Sequence, residues 1–262
     1  MSPVRTCVGC GVELTGQVSS REHVLAQWIR DEIEKPTLTY KHYLRNEGEV
    51  TSHLLRDHGL NNLAVKIVCS GCNNGWMSRL EESAKPLVIG LMNQQTSLLQ
   101  LSSRARITVS KWAAKTAFMI ASAQQSQLAL PWPVFKNLSR EAPECGPDGC
   151  FVLGSQLSFL PNGFMCDCQS DAWQREGTPI QVRVGFSVCH LHLLVVLPLG
   201  EAERVISTAA CVHVPLWPLE MEVLVHYENF PTFNVASDLI IFLTGLVQVG
   251  IVRKTANDAP AD

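Results

Sequence analysis

Charged residues are scarce in this chain of 262 amino acids: only 17% are Asp, Glu, Lys or Arg, against 46% hydrophobic. So low a charge content excludes a disordered polyelectrolyte and leaves only the tail at residues 255–262 expected to be disordered. The chain also lacks a basic excess, carrying 21 Lys and Arg against 24 Asp and Glu, which argues against a protein that coats nucleic acid with its whole surface. No internal repeat is present. No apolar leader follows Met1, and the longest late apolar stretch, Leu239 to Val252, is broken by Thr244, Gly245 and Gln248. It is shorter than the ~20 residues needed to cross a bilayer, so a buried element and no membrane association are expected. With no leader, the ten cysteines read as reduced thiols of a cytoplasmic protein and not as a secreted disulfide framework.

The modest net charge conceals a division. Residues 1–115 hold 14 basic and 10 acidic side chains, a balance of +4, whereas residues 116–262 hold 7 and 14, a balance of −7. The amino-terminal portion is therefore the better platform for phosphate. The acidic remainder is a candidate for contacts with a protein partner or a second copy.

Two cysteine pairs mark that basic portion, Cys7-Val8-Gly9-Cys10 and Cys69-Ser70-Gly71-Cys72. A pair of thiolates two residues apart closes one side of a tetrahedral zinc, and a second pair completes the shell with no position left for substrate. Such a zinc is structural, so any chemistry must lie between the clasps. There the sequence reads Arg21-Glu22-His23-Val24-Leu25-Ala26-Gln27-Trp28-Ile29, and the second pair runs directly into Asn73-Asn74-Gly75-Trp76-Met77.

In this order the motifs resemble the HNH endonucleases of the ββα-metal type whose fold is held by a four-cysteine zinc. The resemblance covers roughly residues 5 to 80. It implies an α+β protein with a zinc-stapled module over residues 1–90, followed by a mixed helix-and-sheet domain over residues 91–254. It further implies hydrolysis of nucleic-acid phosphodiesters, DNA in preference to RNA, with Glu22 and Asn73 as ligands of a catalytic Mg²⁺ or Mn²⁺. Asn61 or Asn62 would orient the His23 ring. Glu stands here where Asp or His is common in the family, and Asn where His is common.

The residue chemistry is compatible with that expectation. Phosphodiester hydrolysis needs a base for the attacking water and positive charge for the phosphorane, and a neutral imidazole such as that of His23 suits the first task. Carboxylate and amide oxygens suit Mg²⁺ or Mn²⁺ better than a second zinc. On an ideal strand, however, Glu22 and His23 point to opposite faces, so both reach one site only if the strand bends. Arg21, Lys66 and Arg79 are candidates for phosphate contacts. The rival reading is a non-catalytic zinc ribbon that binds nucleic acid or a protein, which requires only the four sulfurs to converge.

Periodicity places helices over Val24–Ile33 and Val109–Ala123, and another capped by Asn73 or Asn74 and stopped near Pro86. In the second, Lys111 and Lys115 are expected on a face apart from Val109, Trp112 and Ala117. Strands are expected over Thr37–Tyr43 and Glu49–Leu55, turning at Asn46-Glu47-Gly48. Trp28 and Trp76 read as core residues, and a domain boundary is expected between residues 88 and 106. After residue 150 the texture is β-like, and the cysteines at 145, 150, 166 and 168 read as structural thiols.

Overall fold

The computed structural model describes residues 4–33, 64–124, 130–140, 145–156, 164–172, 179–198 and 214–217, with short strands elsewhere between residues 39 and 252. The class is α+β. A knuckle at Cys7 to Gly11 opens the chain, closed by Cys7 N–H to the Val12 carbonyl and Gly11 N–H to the Cys7 carbonyl. Gly11 has a φ of +80°, a conformation in which glycine bears no side-chain clash. Strand β1 (Ser19–His23) follows, then helix α1 (Gln27–Glu32). Four short strands come next: β2 (Thr39–Tyr40), β3 (Leu44–Asn46), β4 (Glu49–Thr51) and β5 (His58–Gly59). β3 pairs with β4, and β2 with β5; Asn46, expected in the turn, ends β3 opposite Glu49, and Glu47-Gly48 lie outside the described residues.

Strand β6 (Ala64–Cys69) returns antiparallel to β1. Ser20 opposes Val68 and Glu22 opposes Val65, so Lys66 and Ile67 together face Arg21, a bulge on the β6 side. The chain then turns directly into α2 (Ser70–Cys72), a π-type turn (Asn73–Met77) and α3 (Ser78–Met92). Cys69 caps this helical run, its Sγ accepting from Cys72 N–H. The cap expected at Asn73 or Asn74 is corrected by four or five positions, because the sulfur does the work of the usual oxygen. Gly75 leaves helical geometry at φ −94°, ψ −110° and kinks the run.

Pro86 does not end the helix; it lies inside α3. A helical proline costs about 3 kcal/mol. Val88, Leu91 and Met92 beyond it are fully buried, and at roughly 1.5–3 kcal/mol each they outweigh that cost.

Helix α4 (Ser103–Gln124) is the centre of the molecule. It packs on α3, on β6 and on one face of a five-stranded antiparallel sheet. That sheet comprises β7 (Phe151–Gln156), β8 (Phe164–Ala172), β9 (Pro179–Val188), β10 (Leu191–Pro198) and β12 (Val214–Trp217), in the order β12-β7-β10-β9-β8. Between α4 and the sheet the chain forms α5 (Trp132–Asn137). A separate small sheet joins β11 (Glu203–Thr208) to β13 (Leu224–Val225) and β14 (Val247–Val252). Every residue of α4 from Val109 to Ala121 is buried. The polar face expected from Lys111 and Lys115 is therefore corrected: the helix is enclosed all round, as one that spans a core must be.

One apolar cluster runs from Cys7 through Ile29, Val68, Leu91 and Trp112 to Phe186 and Leu216. The boundary expected at residues 88–106 falls on the α3–α4 connection, across which packing is continuous. The expected tail at 255–262 and the stretch from Leu239 to Leu246 lie outside the described residues.

Candidate functional site

The four cysteines from two distant segments meet. The sulfurs of Cys7, Cys10, Cys69 and Cys72 all lie within 4.8 Å of one another, and Cys10 Sγ is 3.6 Å from Cys69 Sγ. Pairing of β1 with β6 brings the second pair under the knuckle, and Val8 N–H bonds the Ile67 carbonyl to lock the two together. Cys69 N–H points at Cys7 Sγ and Cys72 N–H at Cys69 Sγ, each at 3.3 Å. Amides aimed at sulfur stabilise thiolate charge. Burial works against ionisation of Cys7, yet the amides of Cys10, Cys69 and Gly9 bring its pKa down to about 7. A Cβ at Gly9 would stand 3.0 Å from Cys72 Sγ, so this position is kept bare by the clasp itself. Four converging sulfurs with a spacing near that of a tetrahedral thiolate shell fit a structural metal such as zinc.

Glu22 turns inward. Its Oε1 contacts Lys115 Nζ, and the same ammonium lies 2.8 Å from Glu81 Oε1. The second oxygen of Glu81 accepts from the indoles of Trp28 at 2.8 Å and Trp112 at 3.1 Å. β1, α1, α3 and α4 are thus joined at one buried charge cluster. Lys115 is 1% exposed and Glu22 8%. Burial alone would depress the ammonium, but the charges of Glu81 and Glu22 reverse this and hold its pKa above the usual lysine range.

His23 takes the other side of β1, as alternation dictates. It is half-buried, and its Nδ1 has no hydrogen-bond partner among the described residues. Burial lowers its pKa, and the positive charges of Arg30 and Arg21 lower it further against an opposing pull from Glu22. Asn73 Nδ2 donates to Ser20 Oγ at 2.7 Å, tying the helical run to β1. Ser20 and Glu22 are two residues apart and share a side of the strand. Glu22 and Asn73 are thereby placed on one side of β1 and His23 on the other.

Glu22 and Glu81 share one ammonium, so Oε1 of each carboxylate is engaged by Lys115. A cation binding at Glu22 would compete with this ammonium for the same oxygen.

Arg21 and Lys66 are exposed on the β1–β6 pair, and Arg79 is exposed on α3. Asn61 and Asn62 lie outside the described residues. Trp28 and Trp76 are partly buried, against Trp112 and Phe135 respectively. Cys150 donates its thiol to the Pro147 carbonyl at 3.1 Å, and burial pushes that thiol well above its ordinary pKa. Among the described residues the amino-terminal cluster is the one group of His, Cys, Asp or Glu side chains arranged to hold a metal.

Sequence reasoning missed Lys115, Glu81 and Ser20. The signal for Lys115 was a lone cation inside Trp112-Ala113-Ala114-Lys115-Thr116-Ala117-Phe118, a run too apolar to face water, where an ammonium requires a buried counter-charge. No family model, no curated protein and no solved structure matches the chain.

Proposed function

We propose that the amino-terminal part of this chain is a zinc-stapled nucleic-acid-binding module on an HNH-like frame, without divalent-metal hydrolysis at Glu22. The observation that carries this reading is the buried contact of Glu22 with Lys115. It converts the carboxylate of the resemblance into a structural anchor between β1 and α4. The opposite side of β1 supports phosphate binding. Exposed Arg21 sits across from Lys66 at the bulge, and the fields of Arg21 and Arg30 both act on His23. Cations so placed contact phosphate backbone without reading bases.

Metal-dependent hydrolysis of DNA is the second reading, favoured by one observation: Asn73 is held to Ser20 on the same side of β1 as Glu22. The two readings separate in one experiment. The zinc-loaded full chain is incubated with duplex DNA, single-stranded DNA and RNA, without and with Mg²⁺ or Mn²⁺, beside His23→Ala and Arg21→Glu/Lys66→Glu variants. Binding that is lost in the charge-reversal variant, with no cleavage under any condition, supports the binding module. Cleavage that requires added metal and disappears in His23→Ala supports the nuclease.

A further inference from the structure

A cleft of about 580 Å³ opens between α3, α4 and the residues that follow α5. Its charged lining is Arg79, Arg104, Lys111 and Arg140, and among the described residues no carboxylate joins them. In a chain with more acidic than basic side chains, the exposed Arg104 and Arg140 make the mouth of this cavity locally positive. The cavity is not simply a basic surface, because Leu80, Ile107, Leu138 and the Trp76 indole form apolar wall.

The hydrogen-bonding capacity is divided in a specific way. Ser83, Thr108 and Ser139 line the cleft, but each hydroxyl donates to a backbone carbonyl, of Arg79, Arg104 and Lys136 respectively. Their oxygens remain as acceptors, so the donors offered to a ligand are the guanidinium heads of the exposed Arg104 and Arg140. Lys111 Nζ donates to the Arg140 carbonyl at 2.9 Å, fixing the backbone from which the Arg140 guanidinium extends. The matching ligand presents acceptor oxygens with negative charge at one end, hydroxyl donors in the middle and a flat apolar body.

We infer that this cleft binds a nucleoside phosphate, either free or as the phosphorylated end of a strand, with phosphate on Arg104 and Arg140 and the base against the apolar wall. Guanidinium forks match phosphate geometry in pairs, and the volume falls within the range of small-ligand sites, about 300–1,000 Å³. The cleft lies on α3 and α4, apart from the exposed cations of β1 and β6, so it stands or falls independently of the nucleic-acid reading of that strand pair.

Calorimetric titration of the zinc-loaded full chain with inorganic phosphate, adenosine, adenosine 5′-monophosphate and a 5′-phosphorylated trinucleotide tests the inference. The expected result is binding of the mononucleotide at least about tenfold tighter than phosphate or adenosine alone. Arg104→Glu and Arg140→Glu, both at exposed positions, should each weaken it by about tenfold or more, while Arg21→Glu/Lys66→Glu leaves it unchanged. A trinucleotide that binds more tightly than the mononucleotide identifies a strand end as the source, and equal binding identifies the free nucleotide. Absence of binding by both phosphorylated nucleoside ligands overturns the proposal, as does binding insensitive to both arginine substitutions.

Discussion

The ammonium of Lys115, midway along the enclosed helix α4, rests against the carboxylate of Glu22 on β1. Its partner on the other side is Glu81 of α3. Removing the cation would leave two carboxylates in a site that water scarcely reaches. Breaking a buried ion group in this way costs about 3–5 kcal/mol. Lys115→Met should therefore lower stability in urea by that amount, and adding Glu22→Gln to it should recover part of the loss. A decrease smaller than about 1 kcal/mol for Lys115→Met, the worth of an exposed pair, would show that the cluster is not closed.

Metal content is a second test. The full chain should carry one zinc, released by Cys69→Ser together with loss of structure at the amino terminus, because a thiolate shell contributes folding energy directly. Gly9→Ala should weaken zinc retention without abolishing it, since the added methyl would stand 3.0 Å from Cys72 Sγ. Zinc analysis of the purified proteins after competition with a chelator measures both effects. A zinc-free wild type that unfolds like Cys69→Ser would contradict the clasp.

The pH dependence follows from His23, whose pKa is lowered by burial and by Arg30 and Arg21. The unfolded chain then binds a proton at a higher pH than the folded chain. Stability due to this residue is present above the ordinary histidine pKa of about 6.5 and is lost as pH falls through it toward the lowered folded value. His23→Gln should flatten that part of the acid limb, as pH falls below about 6.5. Identical acid limbs for wild type and variant, followed by urea unfolding across this range, would show that His23 is not perturbed.

Division of the chain within the core should fail. Truncation after residue 115 cuts α4 in its buried stretch and removes Phe186, which packs edge-on against Trp112 at 5.9 Å between ring centroids. Residues 1–115 alone should give little cooperative unfolding by circular dichroism. A sharp transition like that of the full chain would restore an independent amino-terminal domain.

The clasp was legible because cysteine spacing encodes it directly. Local periodicity likewise exposed α4 and the β character after residue 150. Less legible was whatever depends on two distant elements meeting. Asn73 looked like a helix cap because its type fits that role, yet Cys69 takes the cap and Asn73 reaches across to Ser20. Pro86 looked like a stop because its local cost is high, while the opposing burial of Val88 and Leu91 arises only from packing. Glu22 is expected as a metal ligand from the motif around it; its contact with Lys115, far along the sequence, arises only from packing and has no local signal. The phosphate candidates Arg21, Lys66 and Arg79 were found by charge alone. Sequence could not show that Arg79 lines the cleft between α3 and α4 while Arg21 and Lys66 lie on the β1–β6 pair.

The central claim is that Glu22 is held by Lys115 and not by a divalent ion. Electron paramagnetic resonance titration of the zinc-loaded full chain with Mn²⁺, beside Glu22→Gln, measures this most directly. The account predicts that wild type and Glu22→Gln retain Mn²⁺ equally weakly, with no stoichiometric site. A tight site of one Mn²⁺ per chain that disappears in Glu22→Gln would contradict it.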